Sequence, residues 1–117
     1  MKTTEIEKSN TYNLVDIIEY IPSSVVCKTI IKKATGNISL MAIDEGETFT
    51  VKISPFDVFI QIIDGVAEII INENSYLIKM GQSIIIPAHA SNTFIANKRF
   101  KMMSTIIKSG YEENTLF

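Results

Sequence analysis

The chain has one histidine, His89, and one cysteine, Cys27. These two counts restrict its chemistry more than any other feature. Protein-held zinc and iron take about three or four ligands, mostly His and Cys. One copy of this chain does not carry them. A Ser-His-Asp relay would have to run through His89, and a Cys-His nucleophile would need Cys27 to meet His89. His89 follows Pro87-Ala88, a loop sequence. Its plain reading is an exposed residue without a role, although a histidine is the natural acid-base group at neutral pH. Cys27 lies inside an apolar run and reads as a buried, inert thiol. The acidic run Asp44-Glu45-Gly46-Glu47 offers oxygens to a hard cation, but it lacks the longer ligand spacing of a calcium loop. It reads as a solvated turn.

Charge and length exclude other classes. The 117 residues carry 11 Lys+Arg against 13 Asp+Glu, a net charge of -2. Nothing there supplies the clustered cations that neutralise phosphates, so nucleic acid is not an expected partner. No apolar stretch approaches the ~18 residues of a membrane span. The opening MKTTEIEKSN has no apolar signal segment, and a lone Cys forms no internal disulfide. The expected compartment is the cytoplasm.

Any reactive residues must be positioned by strands. There are 22 Ile and 6 Val but only 4 Leu and 6 Ala, so strand formers dominate and helix formers are scarce. Residues 1–24 read as an N-terminal segment, polar and frayed to residue 12. A short helix follows over Asn13–Tyr20, with Leu14, Ile17 and Ile18 at helical spacing, Asn13 as its cap and Pro22 as its stop. Residues 25–108 read as one β domain with strands at Val25–Ala34, Asn37–Ile43, Thr48–Ser54, Phe56–Ile63, Val66–Ile71, Ser75–Met80, Ser83–Ile86, Thr93–Asn97 and Phe100–Lys108. Asp64-Gly65 and Asn72-Glu73-Asn74 read as hairpin turns. Residues 109–117, ending YEENTLF, form a polar tail with an aromatic end. Short strands at this spacing, without helical inserts, imply an all-β sandwich or barrel. Phe59-Ile60-Gln61-Ile62-Ile63 and Ile84-Ile85-Ile86 are apolar on both faces. The outward face must be covered by a second sheet, by the N-terminal segment or by a partner, and a homodimer is expected.

The stretch from Gly46 to Asn97 resembles the small single-domain cupins. Gly81, then QSIII, then Pro87 matches the start of the second cupin motif, and Gly46 and Gly65 keep the register of the first. Ser54-Pro55-Phe56-Asp57 also looks like a loop of small cupins. The resemblance implies an all-β jelly-roll barrel with one open mouth. It puts Lys52, Ser54, Val58 and Asn92 at the four metal-ligand positions, and none of the four is the usual ligand. His89 stands where a Gly is usual and Ala96 where an Asn is usual. Iron, manganese or zinc chemistry is therefore not carried over, and neither a metal nor another cofactor is expected.

Through the same register, Lys52, Ser54, Val58 and Asn92 would face the barrel pocket, with Ile60 and Phe94 sharing their parity. Simple alternation gives the opposite reading for one strand, with Val51 and Ile53 buried and Lys52 and Ser54 wet. Ile60 and Phe94 serve equally well as plain core. The favoured reading is a metal-free cupin that binds a small molecule, with Lys52, Ser54 and Asn92 supplying polarity. Lys52 tilts the ligand towards an anion, unless Asp57 pairs with it. One rival is an enzyme using His89, Lys52 or an unusual metal set that includes His89, Asp57 or a partner's residue. Another is a structural or regulatory dimer whose barrel is filled by Phe56, Phe94 and Met102.

Overall fold

The structure is a computed structural model that describes residues 5–110. The tail from Tyr111 onward and residues 1–4 lie outside the described residues. A 3-10 helix at Leu14–Asp16 precedes eight strands: β1 (Val25–Lys33), β2 (Gly36–Ile43), β3 (Thr48–Val51), β4 (Val58–Ile71), β5 (Asn74–Lys79), β6 (Ser83–Ile86), β7 (Asn92–Ile95) and β8 (Phe100–Ile107). All pairings are antiparallel. No helix of the described residues is long and apolar enough to cross a membrane.

The long strand β4 organises the barrel. Its first half pairs with β6 and β8, and β8 continues through β2 to β1. Its second half pairs with β5 and β7, and β7 continues to β3. One strand therefore belongs to two sheets, and their inner faces enclose the core. Ile60, Ile62, Ala67, Ile69, Phe94, Phe100 and Met102 are buried there. Period-two burial along β4 is the expected pattern for a strand with one buried face.

The Asp64-Gly65 hairpin is not formed, and eight strands stand where nine were expected. The register on β8 shifts between Ile62 and Asp64, and β4 runs on through Gly65 at φ +77°. The turn signal is used for a bulge that bends the strand from one sheet into the other. A side chain at Gly65 would run into the Arg99 carbonyl oxygen and Phe100, so the close approach as well as the φ requires glycine. Asn72, at φ 53°, does begin the β4–β5 turn as expected.

The N-terminal segment also departs from expectation. Only Leu14–Asp16 is helical, and the Asn13 side chain makes no capping bond. Residues 5–12 are tied to the sheet instead of fraying. The Ile6 N–H donates to the Ile30 carbonyl at 3.3 Å, and the Lys32 N–H donates to Glu5 Oε2 at 2.6 Å. Ile6, Leu14, Ile17 and Tyr20 pack with Ile18 over Leu40, Ala42 and Ile30 on the outside of β1 and β2. This segment covers part of the outward apolar face. A second part stays open, where Ile85, Phe59 and Thr105 stand side by side on β6, β4 and β8. Ile85 is 59% exposed and Ile107, nearby on β8, is 58% exposed. Cys27 is exposed on β1, not buried, because its neighbour Val26 takes the face that the N-terminal segment covers.

Candidate functional site

The inner faces of the two sheets leave a cavity of about 130 Å³ between them. Its walls are strand residues. Phe49 and Val51 on β3 stand opposite Phe94 and Asn92 on β7, so one pairing directs four side chains to one place. Val58 and Ile60 on β4, Met41 on β2, and Met102, Ser104 and Ile106 on β8 complete the wall. The six residues assigned to the pocket from the sequence, Lys52, Ser54, Val58, Ile60, Asn92 and Phe94, all line this cavity. Phe56, Phe94 and Met102 line it too, leaving space between them where a filled barrel would have none.

Two loops complete the site, and they are bonded to each other. The His89 N–H donates to the Ser54 carbonyl at 2.7 Å, and the Ala88 N–H donates to Asp57 Oδ1 at 2.8 Å. The Ser54 hydroxyl accepts from the Phe56 N–H at 3.0 Å, which closes a local turn. Ser54 thus shapes the site and spends much of its polarity doing so. His89 holds a left-handed backbone at φ 70°, is exposed, and is not part of the cavity wall. Neither His89 nor Cys27 lines the cavity.

β3 ends at Val51, not at Ser54. Alternation stops there, so Val51 and Lys52 both reach the cavity although they are neighbours in sequence. Ile53, buried on simple alternation alone, is 55% exposed. Lys52 is exposed where it meets the cavity, so it belongs to the rim and not to the interior.

Asn92 is the polar residue of the interior. It is 7% exposed. Its Nδ2 donates to the Ala90 carbonyl at 3.4 Å, a long bond. Its Oδ1 is buried and has no hydrogen-bond partner among the described residues. Buried carbonyl groups nearly always have one. The register implied by the resemblance takes even-numbered residues of that strand as inward and so leaves out Phe49, while Val51, buried on simple alternation, does reach the wall. That register also leaves out Ser104, which only the β8 pairing with β4 brings to the wall.

The donor set of the cavity does not suit a transition-metal ion. The polar side chains on its wall are those of Lys52, the locally bonded Ser54, Asn92 and Ser104, and among the described residues no carboxylate or imidazole lines the cavity. Among the described residues no three His, Cys, Asp or Glu side chains gather into a group that could hold a metal ion.

The sequence matches no family model and no curated protein. Solved structures resemble it closely in shape. A conserved protein of unknown function from Streptococcus pyogenes is 24% identical with a TM-score of 0.84, over 94% of this chain and 97% of that one. A cupin superfamily protein from Desulfitobacterium hafniense is 19% identical with a TM-score of 0.83, over 93% and 100%. A cupin 2 conserved barrel domain protein from Leptotrichia buccalis is 24% identical with a TM-score of 0.80, over 83% of this chain and 47% of that one. The backbone, with its long β4 and its open cavity, is that of a small cupin-fold β-barrel.

Proposed function

We propose that this chain is a metal-independent, small-molecule-binding cupin barrel acting in the cytoplasm, without catalysis of its own. One observation carries the reading: an open, largely apolar cavity lies between the two sheets, with one deeply placed polar side chain, Asn92, and Lys52 at its rim. Ligand sites generally combine apolar walls with a few polar groups in this way. His89 and Cys27 are outside the wall, which argues against catalysis through either, and Lys52 at the rim is the one group of the enzyme reading that meets the cavity.

The test is a fragment screen of the purified full chain by ligand-detected NMR, alongside elemental analysis per chain. Binding of small apolar compounds that Phe94→Trp abolishes supports the reading. Near one equivalent of a transition metal, held through purification, overturns it.

The expected homodimer belongs to the same reading. The uncovered row of Ile85, Phe59 and Thr105, with Ile107, continues the face that the N-terminal segment covers elsewhere, and a second copy is the occupant we infer. Sedimentation of wild type and Ile85→Lys tests it. A wild type that stays monomeric at high concentration rejects the dimer.

A further inference from the structure

We propose that the cavity takes a compact, single-ring-sized molecule that donates one hydrogen bond to Asn92 Oδ1, a phenol or a similarly sized alcohol or N–H compound. This rests on the binding reading above and adds the class of ligand. The size follows from the volume. The cavity measures about 130 Å³, and a dry apolar cavity of about 150 Å³ holds one benzene. The body must be apolar, because Phe94, Ile60, Met102 and Ile86 form the walls and offer no polar contact.

The polarity of the ligand follows from Asn92. Its Nδ2 is engaged by the Ala90 carbonyl, and that bond sets which end of the amide is left over. The end left over is an acceptor, buried and unpartnered. Two nearby hydroxyls are committed elsewhere, since Thr93 Oγ1 lies 3.2 Å from Thr50 Oγ1 and the Ser54 hydroxyl is held in its turn with Phe56, while Ser104 on β8 adds its hydroxyl to the wall. A molecule without a donor leaves the amide oxygen unsatisfied and gains only apolar contact. A molecule with one donor removes the desolvation penalty as it binds. A carboxylate placed deep in the cavity would set oxygen against oxygen. Any anionic group therefore belongs at the mouth beside Lys52, with the donor at the other end of the molecule.

The experiment titrates phenol, anisole and toluene against the full chain, by ligand-detected NMR and thermal shift. The three share a ring. Anisole keeps the oxygen of phenol and loses the donor. Wild type is expected to bind phenol about tenfold more tightly than anisole. In Asn92→Leu that preference should vanish, with toluene binding at least as well as in wild type. Asn92→Asp keeps an acceptor and should keep the preference, so the test survives if the leucine variant does not fold. Equal binding of phenol and anisole by wild type, or a preference that persists in Asn92→Leu, overturns the donor assignment and leaves small-molecule binding standing. No binding of any of the three, up to their solubility limits, overturns both.

Discussion

Lys101 and Asn92 are the two buried polar side chains among the described residues, 9% and 7% exposed, and their surroundings are opposite. Lys101 lies on the outer face of β8, beneath the N-terminal segment. Its Nζ donates to the Val15 carbonyl and lies 5.0 Å from the centre of the Tyr20 ring. Arg99 approaches the same ring to 4.4 Å, and the Tyr20 hydroxyl donates to Asp64 Oδ2 at 2.6 Å. Each group there answers another. Asn92, on the cavity face, keeps an oxygen that no described residue answers. A satisfied buried group fixes the position of what it touches. An unsatisfied one costs stability until something else supplies the partner. On the proposed reading, the first belongs to folding and the second to binding.

The largest effect separating them is expected from Lys101→Met. It keeps the apolar stem and removes the ammonium, leaving the Val15 carbonyl without its donor. The loss should be about 2 kcal/mol in urea denaturation, with the preference for phenol over anisole unchanged. If that preference disappeared as well, the two regions would not be separate devices.

Tyr20→Phe comes next. It removes the bond to Asp64 at a half-buried position and should cost about 1–2 kcal/mol near neutral pH. Burial, first, and the hydrogen bond to and charge of Asp64, second, push the Tyr20 hydroxyl well above the ordinary tyrosine range, with Arg99 opposing. The folded protein thus holds this proton more tightly than the unfolded chain does. The resulting stability is fully present below about pH 10, where an unfolded tyrosine titrates, and is lost as pH rises beyond it. Wild-type urea midpoints should fall from about pH 10 upward, and those of Tyr20→Phe should fall less steeply. Parallel curves would mean that the Tyr20–Asp64 contact does not hold the segment in place.

The same contrast explains what could be read from residues alone. The barrel was legible because Gly46, Gly81 and Pro87 punctuate runs of Ile and Val at strand spacing. Val58, Ile60, Asn92 and Phe94 were legible because the register of β4 and β7 follows from those turns, whereas Lys52 and Ser54 reach the wall from the loop after β3. Gly65 misled, because an Asp-Gly pair signals a tight turn and a bulge equally well, and only the approach of Arg99 and Phe100 decides between them. Cys27 misled because β1 is an edge strand, where a residue on the face opposite the covered one can still stand exposed. The Tyr20–Asp64 bond joins residues 44 apart in sequence, and no local pattern announces it. That Asn92 would lack a partner was equally invisible, since it depends on where every neighbouring hydroxyl points.

Asn92→Leu should change stability by no more than about 1 kcal/mol, and towards higher stability. The variant removes an unanswered acceptor and loses one long bond to Ala90. A loss as large as that of Lys101→Met would mean that Asn92 is a structural residue after all.

The smallest effect is expected at the rim. Lys52 is exposed, so Lys52→Ala should leave the urea midpoint where it is. Its charge acts through water and adds little to any one contact. For a ring carrying both a donor and an anion, such as 4-hydroxybenzoate, the variant should weaken binding about two- to fivefold, the range of an exposed ion pair. Phenol should not notice the change, because it has no charge to offer. The loss for 4-hydroxybenzoate should shrink as salt is raised, since mobile ions screen exposed charges within about 8 Å at physiological ionic strength. An equal loss for phenol and 4-hydroxybenzoate would show that Lys52 supports the wall by packing, and the division of the cavity into a donor-seeking interior and a cationic mouth would fail.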